Sequence, residues 1–100
     1  MSLSSIYTEL HRQAARTGTD RAQELTGGAR IAVRVKEGVV TLTISRKTKK
    51  VGSTELEVFR RDCGVPSTAV RFPQEDQGTK EHDGATWFYV AFRWREGVDQ

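Results

Sequence analysis

The sequence predicts an α+β domain with helices on one face of a four-stranded, mainly antiparallel sheet. Three observations predict it. Leu3, Ile6, Tyr7, Leu10 and Ala14 follow the spacing of one helix face. Ile31, Val33 and Val35, then Val40, Leu42 and Ile44, alternate with other residues on either side of Glu37-Gly38, which is the period of a half-buried hairpin. Ala85–Arg95 is a third alternating run, dense in aromatic rings.

With 100 residues, 36 % of them apolar, the chain is long enough for one domain spanning 1–100, with 96–100 as a polar tail. A chain of this size buries about two-thirds of its unfolded surface, so neither disulfides nor a metal are needed to explain stability. The single cysteine, Cys63, excludes an internal disulfide and a cysteine-based zinc cluster. No apolar run reaches spanning length and no secretory leader pattern opens the chain. The expectation is a soluble cytoplasmic protein.

Taken in order, the first helix starts at a Ser4 or Ser5 cap. Gly18 either ends it or is tolerated, and Ala22 and Leu25 continue the same face up to Gly27-Gly28. In the hairpin, a two-residue turn at Glu37-Gly38 pairs Val35 with Val40, Val33 with Leu42 and Ile31 with Ile44. All three apolar pairs then share one face, and a slip of one residue would ruin the match. Thr54-x-x-Glu57 has the spacing of a capping box for a short helix from about Glu55 to Cys63, stopped by Gly64 and Pro66. Thr68–Phe72 reads as a strand closed by Pro73, residues 74–84 as a polar loop, and Ala85–Arg95 as the longest strand. The predicted core combines Ile6 and Leu10, the inward hairpin residues, Leu56, Phe59 and Val70, and Phe88, Val90, Phe92 and Trp94.

The net charge of +3 is unevenly placed. Residues 30–52 carry seven cations against Glu37 alone, a local +6, while Gln74–Asp83 is acidic. Such asymmetry is a statement about partners. Strand parity puts Arg30, Arg34 and Lys36 on the face away from the helices, with Trp87, Tyr89, Arg93 and Arg95 of the last strand. Arg46, Lys47, Lys49 and Lys50 extend the basic track past the hairpin.

Cations interleaved with flat rings suit single-stranded DNA or RNA, whose bases stack while phosphates meet the charges. The sequence therefore predicts a small nucleic-acid-binding accessory protein that uses Arg34, Lys36, Arg46, Lys47, Lys49, Lys50, Trp87, Tyr89, Arg93 and Arg95, without cofactor or metal. In the alternative, Trp87 and Tyr89 are covered by the first helix, by a second copy in a homodimer, or by another protein that the chain regulates. The acidic residues Glu75, Asp76, Glu81 and Asp83 are expected to dock on the basic hairpin of the same or another copy and so limit binding.

Enzymatic constellations fall short. His11 and His82 have no metal-binding spacing, and a loose site among His82, Asp76, Glu81 and Asp83 would require flexible neighbours to converge. Cys63 lies on an apolar helix face with no base identified, and Gly27-Gly28 precedes a strand, so it opens no phosphate loop. The expectation is a protein without catalysis.

Overall fold

A computed structural model describes residues 2–97 and has the α+β class that the sequence predicts, with six strands instead of four. The order is α1 (Leu3–Thr17), β1 (Arg21–Glu24), β2 (Ala29–Lys36), β3 (Val39–Lys47), α2 (Ser53–Asp62), β4 (Val70–Phe72), β5 (Gly78–His82) and β6 (Ala85–Arg95). The sheet runs β1-β2-β3-β6-β4, every pair antiparallel. Strand β5 also pairs with β6. Because β3 occupies one side of β6, β4 and β5 lie end to end along the other.

The hairpin has the register that the sequence requires, from Ile31↔Ile44 to Lys36↔Val39, around a turn whose Glu37 and Gly38 have φ of 53° and 79°. Two positive φ values give the strands the twist of a tight hairpin, and glycine takes the second without steric cost. Ser2, just upstream of the expected serines, caps α1 by accepting from the Ser5 N–H at 3.1 Å. Gly18 ends the helix in the left-handed conformation at φ 72°. Residues 21–24, which also fit a helical spacing, instead form β1 along the edge of β2.

Helix α2 starts two residues early. Its N-cap is Gly52, whose N–H donates to the Glu55 carboxylate at 3.4 Å, so Thr54-x-x-Glu57 is not the cap. Residues 74–84 are not a plain loop. Gly78–His82 form β5 and turn through Asp83-Gly84 into β6, again with positive φ at both turn residues.

Both helices lie on one face of the sheet. Ile6, Leu10 and Ala14 of α1 and Leu56 and Phe59 of α2 close over Ile31, Val33, Leu42, Ile44, Val90 and Phe92, all buried. Trp94 and Phe88 are half-buried at the margin. Val70 is a correction to the expected core. It is 57 % exposed, because its pairing with Arg93 turns it to the face without helices. Of the expected tail, Glu96 is anchored by its N–H to Gly38 O at 2.7 Å, and 98–100 lie outside the described residues. Among the described residues no helix is long and apolar enough to cross a membrane.

Candidate nucleic-acid interface

The helix-free face is a set of cross-strand rows fixed by register. At the hairpin end, Lys36, Val39 and Arg95 are directly opposite one another on β2, β3 and β6. The next row is Arg34, Thr41, Arg93 and Val70. Strands are about 4.8 Å apart, so four cations ring Thr41 within a patch about 10 Å across. The third row, Ala32, Thr43, Ala91 and Phe72, is a floor of small residues with one ring at its end. Arg30, Ser45, Tyr89 and Gly78 follow, then Lys47, Trp87 and Lys80.

The cations are held in different ways. Arg34 donates from Nε to Asp20 at 2.7 Å, and the Arg93 guanidinium lies 5.1 Å from the centre of the Phe72 ring. Lys36 and Arg95 are exposed and have no carboxylate partner among the described residues. Two shallow depressions meet here. One of about 200 Å³ is lined by Asp20, Arg34, Thr41, Thr43, Phe72 and Arg93. Its neighbour, about 280 Å³, adds Lys36, Glu37, Val39 and Arg95. Each is smaller than the roughly 300–1,000 Å³ that encloses a small molecule, so this part of the face is nearly flat.

Of the ten residues the sequence assigns to binding, Arg34, Lys36, Tyr89, Arg93 and Arg95 come together on this face, with Lys47 and Trp87 at its far end. Arg46 is engaged elsewhere. Its pairing with Phe88 turns it to the helix side, where it forms an ion pair with Glu55 and donates to Gly27 O at 2.7 Å. Lys50 pairs with Asp76 at 2.6 Å, and Lys49 is exposed at the exit of β3.

Trp87 corrects the expectation of an exposed ring. It is 7 % exposed, on the open face yet under no helix, between its cross-strand neighbours Lys47 and Lys80 and edge-on to His82. Tyr89 is half-buried, with Lys80 Nζ 5.9 Å from its ring centre. That ring lies on Gly78: a Cβ there would meet the ring carbons and stand 2.7 Å from the hydroxyl oxygen. Gly78→Ala therefore lifts Tyr89 and costs about 1–3 kcal/mol, read as a lower Tm. An unchanged Tm would show that the ring does not rest there.

Of the four acidic residues in the Gln74–Asp83 segment, Asp76 is the one paired with a cation of the basic segment among the described residues. Asp76 takes Lys50, which holds its carboxyl below the usual range, while Glu81 accepts from Thr86 and Asp83 pairs with His82. Gln77 ties the same segment to Val51 through both N–H and C=O, at 2.9 and 2.8 Å.

Sequence reasoning missed Asp20 and Phe72 as parts of the face, and a second cluster on the helix side. There His11 and Glu96 meet at 2.6 Å beside Tyr7, Cys63 and Trp94. Burial pushes the Cys63 thiol up to about 12, so it is not the thiolate a nucleophile needs. Among the described residues, no group of three or more His, Cys, Asp or Glu is placed to hold a metal. Compared with known proteins, the chain matches no family model, no curated protein and no solved structure.

Proposed function

We propose that the chain is a small cytoplasmic accessory module that binds single-stranded DNA or RNA on its open sheet face and catalyses nothing. The observation that carries this reading is the grouping of Arg34, Lys36, Arg93 and Arg95 around Thr41. Phosphates of a strand laid across that end meet four cationic side chains and a hydroxyl, and its bases stack on Tyr89 and Phe72 where Lys80 and Arg93 swing from over the rings to the phosphates. A single strand fits better than a duplex. The face is a sheet, while reading a duplex groove needs a projecting helix or ribbon. The cytoplasmic assignment leans on the one cysteine, a free buried thiol.

A homodimer formed through this face is the weaker alternative, because it would set two copies of the same cationic patch against each other. The test is fluorescence anisotropy of a labelled single-stranded oligothymidylate and a matched duplex over a range of salt. The single strand is expected to bind more tightly and to weaken steeply as salt rises. Failure to bind it, or preference for the duplex, contradicts the reading.

A further inference from the structure

Among the described residues, Trp87 is the one buried aromatic of the open face, and its buried Nε1–H has no acceptor. Indole is a donor only, so nothing but an acceptor satisfies it, and native folds seldom leave such a donor orphaned. The side chains beside it narrow the acceptor's chemistry. Lys47 on β3 and Lys80 on β5 are directly opposite Trp87, one on each side, and both are exposed. The carboxylates of the same hairpin contact other groups, Glu81 accepting from Thr86 at 2.6 Å and Asp83 lying 3.3 Å from His82.

We propose that the Lys47–Trp87–Lys80 row is an oxyanion subsite in which a phosphate group accepts from Trp87 Nε1 while the two ammonium groups flank it. The inference rests on the nucleic-acid reading for the carrier of that phosphate, a backbone phosphate of the bound strand. Lys47 and Lys80 are long, exposed and rotatable, so rotamer changes open the way to the indole. Trp87 and Arg93 are six residues apart on β6, about 20 Å at strand rise. A strand following β6 thus passes from the arginine patch over Thr43, Ala91 and Tyr89 to this second anchor. The face has a cationic site at each end, with small side chains and a ring between them.

The test follows the two indole N–H signals by NMR, with Trp94 on the helix side as internal reference and Trp87→Phe to assign them. The probes are inorganic phosphate and a short single-stranded oligothymidylate. The Trp87 signal is expected to move in step with oligothymidylate binding while Trp94 stays still. Trp87→Phe and, with the indole intact, Lys47→Ala/Lys80→Ala are each expected to weaken binding about tenfold. If oligothymidylate saturates the protein and the Trp87 signal does not move, the subsite is refuted and the nucleic-acid reading stands. If inorganic phosphate moves Trp87 but the oligonucleotide does not bind, the subsite stands with free phosphate as its ligand, and that reading falls. No movement with either probe overturns the inference.

Discussion

Reversing two charges at the hairpin end, as R93E/R95E, is expected to weaken binding of a single-stranded oligonucleotide about a hundredfold or more. On the proposed reading each of these side chains would donate a charge-assisted hydrogen bond to a phosphate, and the penalties of removing both from one site multiply to that order. Arg93 and Arg95 are exposed, in consecutive rows of the same strand. Their replacement leaves the buried core alone, so Tm is expected to change little. The control is R16E/R61E, which makes the same change in net charge at exposed positions on the helices. Those residues face away from the patch, and binding is expected to fall far less. Equal effects of the two pairs would mean that binding follows overall charge and not this surface.

Arg46 is expected to behave in the opposite way, and the contrast separates architecture from recognition. Its side chain is 16 % exposed and that of Glu55 28 %, and it joins the end of β3 to the first turn of α2 and to the β1–β2 turn. Arg46→Ala leaves the Glu55 carboxylate partly buried without its partner, at a cost of about 2–3 kcal/mol. For a domain of this size that lowers Tm by on the order of 10 °C. Oligonucleotide affinity, measured below the new Tm, is expected to stay within about twofold, since the side chain is on the helix side. A large drop in affinity at unchanged stability would return Arg46 to the binding surface.

The same pair sets a pH dependence. The Arg46 guanidinium holds the Glu55 carboxyl below its usual 4.5. Ionised Glu55 therefore stabilises the fold fully above about pH 4.5, and this stabilisation is lost as pH falls through the lowered value. Denaturant unfolding of Glu55→Gln is expected to show less acid destabilisation than the parent chain. Identical pH profiles would remove the pair from the account.

Much of the face was legible because strand parity is arithmetic. Once Glu37-Gly38 fixes the hairpin turn, Arg34 and Lys36 must point away from Val33 and Val35. The alternation of β6 likewise takes Arg93 and Arg95 away from Phe92 and Trp94. The same arithmetic assigns Arg46 to the face of Leu42 and Ile44, a signal that its place in a basic run overshadows. Strand β5 also had a signal, the Asp83-Gly84 pair between two extended runs, masked by its wholly polar Thr79–His82. Without β5 there is no Lys80 beside Trp87, so the burial of that ring was not readable. Strand β1 left almost no trace. Its four residues are exposed, none is β-branched, and backbone pairing to β2 holds it.

Methyl NMR distinguishes a ligand on the helix-free face from one on the helix side. The Thr41 and Thr43 methyl groups and that of Ala32 are on the open face, while those of Val33, Leu42, Ile44 and Leu56 are in the core beneath the helices. Titration with single-stranded oligothymidylate is expected to shift the first group, Thr41 most, and to leave the second near its free positions. Shifts centred on the Ile6, Leu56 and Phe59 side of the molecule, with Thr41 and Thr43 unmoved, would contradict the account.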